Sequence, residues 1–210
     1  MVLLRGRRLR VTPPSRTSLA AGRLGAAFLA GGTAGCLAAV WMDAAGAQAL
    51  AGYLTACFRC AVEELPAPEF WSVVWEQFRF PLAAFVLGFT AIGVVGLPVL
   101  FCVRGFLFSF SAACFYRLLG PEGFFCALCL FGLPAVLWAP ALFVLGSQGM
   151  LGAWGMLRRG LGEGSWPLPY GPDYFFRCGL CAGAAALCVA LELFVLPDLF
   201  ESAARAVLGL

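Results

Sequence analysis

Three pairs of cysteines, Cys57/Cys60, Cys126/Cys129 and Cys178/Cys181, stand three residues apart. That spacing brings two thiolates onto one zinc ion or closes a redox disulfide, and two such pairs complete a tetrahedral site. The other residues able to do chemistry are few. There is no histidine and no lysine, so all 14 basic residues are arginines. Two ionisable groups, Arg104 in "GLPVLFCVRG" and Glu192 in "ALELFVLP", stand within or beside strongly apolar runs. Which of these groups can meet depends on the elements that carry them.

Composition sets those elements: 62% of the 210 residues are hydrophobic and 12% are charged. This is the balance of an integral membrane protein. A helix needs about 20 apolar residues to cross the hydrocarbon core, because every backbone group must be satisfied internally. Five runs fit, at about 24–42, 80–103, 105–119, 123–146 and 175–196. The third is short and must tilt or thin the bilayer around it. The fold class expected is therefore all-α and polytopic, with about five transmembrane helices.

Arginine placement orients these runs, since arginine-rich short loops stay cytoplasmic. Arg5, Arg7, Arg8, Arg10, Arg16 and Arg23 make residues 1–23 a cytoplasmic basic N-terminus. Five crossings from there, over a single helical domain at 24–196, put Arg104, Arg158, Arg159 and Arg177 inside. Asp43, Glu63, Glu64, Glu69, Glu76, Glu122, Asp198 and Glu201 then fall outside; Arg117 fits least. A signal peptide ending near Ala45–Ala47 is the alternative, but the apolar run of about 19 residues exceeds the usual 7–15. A retained anchor is expected.

On this layout the second cysteine pair begins a span at its outer end and the third at its inner end, so the two lie on opposite sides of the bilayer. No metal, cofactor or catalytic role is expected, and small apolar filler is the default reading. Histidine bases are absent, and without lysine there is no Walker-type phosphate loop. The modest positive balance carries no signal for nucleic acid. A non-enzymatic protein is expected.

The outer loop, 48–79, carries two amphipathic patterns. In the second, Phe70, Trp71, Val74, Trp75 and Phe78 form an apolar stripe against Glu69, Ser72, Glu76 and Gln77. These suit helices at the outer headgroups, as an anchor or as a docking surface for a partner. The cytoplasmic loop spans 147–174, and 197–210 forms an outer amphipathic tail. Small residues recur every fourth position at Ala27, Gly31, Gly35 and Ala39, and again at Gly179 and Gly183. Such faces let helices approach closely within one chain or between copies, so homo-oligomerisation through the first span stays open. Arg104 is expected at the inner end of the second span, its guanidinium snorkelling to the cytoplasmic surface. Glu192 is expected about one turn inside the outer end of the fifth.

The run from "FVLGFTAIGVVGLPVLFCVRG" to "ALELFVLP" resembles stage II sporulation protein M and its wider membrane family. The resemblance is carried by Gly96, Leu97 and Pro98 followed by Arg104 and Gly105, and by the short third span. It continues in the "LG-x-E-G" turn at Leu119, Gly120, Glu122 and Gly123, in Pro134 and Pro140, and in Glu192 ahead of Pro197. It implies a membrane scaffold that places the peptidoglycan-degrading stage II sporulation proteins D and P at the septum for engulfment. The alternative from another class is a permease-like or channel-like subunit, since Gly/Pro-interrupted helices build midplane sites in transporters. A polar cavity beside Pro98 and Pro134 would favour transport, and a dry bundle the scaffold.

Overall fold

Polar residues are too sparse along this chain to form anything but long apolar helices, and the positions where those helices break determine which side chains can meet. A computed structural model describes residues 16–62, 70–162 and 171–195. The helices are α1 (Arg16–Trp41), α2 (Ala44–Val62), α3 (Phe70–Gly88), α4 (Gly93–Ala127), α5 (Leu133–Gly160) and α6 (Pro172–Phe194), with a π-turn at Leu128–Gly132 ahead of α5. Among the described residues, four stretches are long and apolar enough to cross a membrane: Arg16–Trp41, Gly93–Leu118, Leu130–Gly160 and Tyr174–Phe194. The protein is thus a multi-pass membrane protein, all-helical among the described residues. The expected count of five is not reached on length and composition, because α3 carries Glu76, Gln77 and Arg79 and falls outside the set.

The main correction concerns the second and third expected spans. They do not part at Arg104 and Gly105; one continuous helix, α4, runs through both residues. The reversal lies earlier, at Phe89–Ile92, between Gly88 and Gly93. Thr90 Oγ1 donates to the Leu87 carbonyl at 3.1 Å, and the Phe89 and Thr90 amides bond three residues back, so side chain and backbone together end α3. A Cβ at Gly93 would collide with the Leu87 carbonyl, so the tight return requires glycine there. The "LG-x-E-G" turn does break the helix where expected: Gly120 has φ 67° inside α4, a conformation that side chains disfavour.

Contacts fix the helix directions. Gly31 lies against the Cys102 backbone and Gly35 against Phe106, so α1 and α4 run parallel. Along α5, Ala153 faces Gly93, Gly149 faces Leu97 and Gly146 faces Phe101, which makes α5 antiparallel to α4. Gly88 meets Gly149 backbone to backbone and brings α3 alongside α5. Tyr174 packs on Phe85 and Phe89 near the start of α6, while Glu192 near its end meets Gln77, so α6 is antiparallel to α3. One end of the bundle therefore collects Arg16, Arg23, Arg158, Arg159 and Arg177. The Cζ atoms of Arg23 and Arg158 sit 5.9 and 5.8 Å from the centroid of Trp154.

The small-residue stripe of α1 is used within the chain. A Cβ at Gly31 or Gly35 would strike α4 backbone, and one at Gly105 would strike Phe28. Backbones this close gain dispersion contacts where lipid supplies no hydrophobic drive. The matching stripe on α6 behaves differently, since nothing lies within 4 Å of a Cβ at Gly179 or Gly183. Arg117 also finds a role: its Nη1 donates to the carbonyls of Ala39 (2.5 Å) and Val40 (3.3 Å), closing the C-terminal end of α1. The core at the basic end is apolar, with Leu24, Leu97, Phe101, Leu142 and Leu145 buried together. Lipid-facing positions such as Leu29, Val95, Val136 and Leu180 remain exposed.

Candidate functional site

Arg104 stands 11 residues after Gly93 and 14 before Leu118, near the middle of the apolar stretch of α4. At about 1.5 Å per residue it is roughly 16 Å from the nearer end, too deep for the guanidinium to reach that surface by snorkelling. The expectation of a boundary arginine is therefore overturned. With α4 continuous past Gly105, the side chain has to be accommodated inside the bundle.

Aromatic rings supply part of that accommodation. The Arg104 Cζ lies 4.3 Å from the centroid of Trp138 on α5 and 4.5 Å from that of Phe80 on α3. Ring contacts of this kind attract a guanidinium through the ring quadrupole but supply no oxygen acceptor for its N–H donors. The Arg104 Nε is buried and has no hydrogen-bond partner. Glu76, Arg79 and Glu192 are within electrostatic reach, but no ion pair closes onto Arg104 among the described residues.

The guanidinium borders a cavity of about 480 Å³ between α3, α4, α5 and α6. Its polar wall is Glu76, Gln77, Arg79, Arg104, Ser111 and Glu192. Gln77 Nε2 donates to Glu192 Oε2 at 2.6 Å, tying α3 to α6 across 115 residues of sequence. Glu76 and Arg79 are exposed, so the cavity is reached from outside the bundle at their level. An apolar wall includes Leu107, Phe108, Phe115, Leu130 and Phe131. On the side of the basic end, Leu97 and Phe101 are fully buried, and Phe101 packs edge-on against Phe143 at 4.8 Å, so a packed floor underlies the cavity.

Pro134 borders this space and owes its position to the π-turn before it. A proline at the start of α5 has no N–H to give and would clash with the preceding turn; the wider i→i+5 turn at Leu128–Gly132 takes up both effects. The Pro134 carbonyl accepts a contact from Cys188 Sγ at 3.6 Å. The first Gly-Leu-Pro differs. Gly96 abuts the Leu87 side chain and Pro98 sits one turn into α4, and neither lines the cavity.

Of the residues singled out in the sequence, the fold brings Arg104, Pro134 and Glu192 together. Gly105 is on the opposite face of α4, against α1. Phe70, Trp71 and Trp75 are well exposed on the first turns of α3, Trp71 at 75%. Pro197 lies outside the described residues, as do the side chains of Cys57, Cys60, Cys126 and Cys129. Cys178 and Cys181 are free thiols. No group of three histidine, cysteine, aspartate or glutamate side chains converges among the described residues.

Sequence reasoning missed the cluster of Gln77, Arg79, Ser111 and Trp138. One signal was available: Arg104, Leu107, Phe108, Ser111 and Phe115 follow the spacing of a single helix face, with a charge and a hydroxyl in it. The arrangement has no paired nucleophile and base, and it is suited to holding a charged ligand. Comparison with protein-family models, with curated proteins and with solved structures finds no match.

Proposed function

We propose that this chain is a non-enzymatic membrane scaffold of the stage II sporulation protein M kind. In that role it gathers peptidoglycan hydrolases, stage II sporulation proteins D and P, at the septal membrane for peptidoglycan thinning and forespore engulfment. The observation that carries the reading is the aromatic end of α3. Phe70, Trp71 and Trp75 are exposed there, at the end of the bundle away from the cluster of arginines. Aromatic side chains suit protein docking because they offer large contact area at low entropic cost. The ordered residues from Gly96 to Glu192 that resemble the family add to it.

The topology that goes with this function has five crossings, α1, α3, α4, α5 and α6, with α3 replacing the short span expected after Gly105. Support comes from α3 packing lengthwise on α5 and α6, with its charges turned to the cavity. The clustered arginines support a topology with the start of α1 in the cytoplasm and the end of α6 outside. The exposed aromatic residues are then on the outer face, where peptidoglycan hydrolases work.

A permease-like role is the second reading, favoured by the charged cavity beside Pro134. The buried Leu97 and Phe101 beneath that cavity, and Pro98 lying outside it, weigh towards the scaffold. Co-purification from detergent tests the first reading: the wild type should capture both hydrolases, and Trp71→Ala with Trp75→Ala should weaken capture about tenfold or more. A folded, monodisperse protein that captures neither hydrolase overturns it. Flux of a small solute through reconstituted liposomes, abolished by Arg104→Leu, would favour transport instead.

A further inference from the structure

The cavity has an electrostatic feature that neither reading uses. Its wall carries two arginines, Arg79 and Arg104, and two carboxylates, Glu76 and Glu192, and the charges sum to zero. Glu76 and Arg79 are exposed, but the half-buried Arg104 and Glu192 would normally close into an ion pair, because an uncompensated charge away from water is expensive. Here they do not: no ion pair joins them among the described residues, and the Arg104 Nε is buried without a partner. Glu192 is held through Oε2 by Gln77, leaving Oε1 for a second donor. A site that keeps both signs apart and unneutralised is complementary to a molecule carrying both signs.

We propose that the cavity binds a zwitterion, with an oxyanion, phosphate or carboxylate, on the edge of Arg104 and a primary ammonium at Glu192 and Glu76. The Arg104 Cζ lies 4.3 and 4.5 Å from the centroids of Trp138 and Phe80, rings that offer no oxygen acceptor, so the planar fork of N–H donors stays available to two oxygens of one oxyanion. An ammonium brings three donors, enough for the free oxygen of Glu192 and a Glu76 carboxylate together. About 480 Å³ falls within the range of small-molecule sites. The apolar wall of Leu107, Phe108 and Phe131 accepts hydrocarbon attached to such a head group. Two sources share this chemistry, the head group of an ethanolamine phospholipid and a free zwitterion such as an amino acid. The assignment is independent of the scaffold reading, since it is tested on the purified protein without hydrolases.

The test uses full-length protein in nanodiscs of choline phospholipid. Unfolding temperature is measured against added phosphoethanolamine, glycine, inorganic phosphate and ethanolamine, and native mass spectrometry scores retention of ethanolamine phospholipid against phosphatidylglycerol. A zwitterion should raise the unfolding temperature where phosphate or ethanolamine alone does not, or the ethanolamine lipid should be retained over phosphatidylglycerol. Response to phosphoethanolamine or glycine identifies a soluble source, and retention of the lipid alone identifies the bilayer as the source. Arg104→Lys keeps the charge and loses the fork, and Glu192→Gln keeps the shape and loses the counter-charge. Each should weaken apparent affinity about tenfold or more, while Gly183→Leu, remote from the cavity, should leave it unchanged. Should Arg104→Lys fail to fold, Glu192→Gln and the ligand selectivity of the wild type decide the matter. Equal response to all compounds and both lipids, or a folded Glu192→Gln protein that binds as the wild type does, overturns the assignment.

Discussion

Two faces of α4, offset by a single residue, solve opposite problems. Gly105 and its neighbours Cys102, Phe106 and Ser109 meet α1 so closely that no Cβ fits at Gly31, Gly35 or Gly105. Arg104, Leu107, Phe108 and Ser111 turn to α3, α5 and α6 and border a charged cavity. The first face is set by backbone approaches that leave no room for a side chain at its glycines. The second keeps a guanidinium near mid-helix, covered by rings and short of hydrogen bonds. Rigidity on one side lets the other hold polar groups in fixed positions without closing on them, the arrangement expected of a binding site supported by its scaffold.

The contrast predicts how substitutions rank. Gly105→Leu should have the largest effect, because its added side chain meets Phe28 backbone, which cannot yield as a side chain would. A loss of about 3 kcal/mol or more is expected, read as a collapse of the monodisperse peak in detergent chromatography. On the opposite face, Trp138→Leu removes one aromatic cover of Arg104 and should cost about 2 kcal/mol in a denaturant titration of the solubilised protein. A cost as large as that of Gly105→Leu would erase the distinction between the faces.

How much of this was legible in the sequence differs between the two faces. The seam with α1 was partly visible, because Gly31 and Gly35 repeat at helical spacing. The Gly120 turn was visible for a similar reason, a glycine followed by proline at the end of an apolar run. The break at Phe89–Ile92 was not, since hydropathy is nearly continuous from Phe80 to Leu119 and the strongest punctuation, Pro98 and Arg104, lies inside the helix. An arginine in an apolar run reads as an end marker because snorkelling is the common solution. Aromatic burial is the less common one and depends on Phe80 and Trp138, 24 and 34 residues away. The pairing of Gln77 with Glu192 joins distant helices and leaves no local trace. The identical spacing of Gly31/Gly35 and Gly179/Gly183 also conceals a difference, since only the first pair meets a neighbour.

Smaller effects sharpen the comparison further. Arg117→Met, which frees the last carbonyls of α1 at the far end of the seam, should cost about 1 kcal/mol, seen as a lowered unfolding midpoint with unchanged ligand response. Gln77→Leu, which removes one hydrogen bond beside the cavity, should cost about 0.6 kcal/mol in the same titration. Gly183→Leu should stay within about 0.5 kcal/mol, and a larger loss would mean that the open stripe of α6 is packed against another chain.

The two-faced character of α4 is tested most directly by water access at Ser109 and Ser111. In a cysteine-free background, single cysteines are introduced as Ser109→Cys, beside Gly32, and Ser111→Cys, in the cavity wall. Each is exposed in membranes to a charged, membrane-impermeant thiol reagent. Labelling at position 111 and protection at position 109 is the predicted result. Protection at both positions, or equal labelling of the two, would contradict the account.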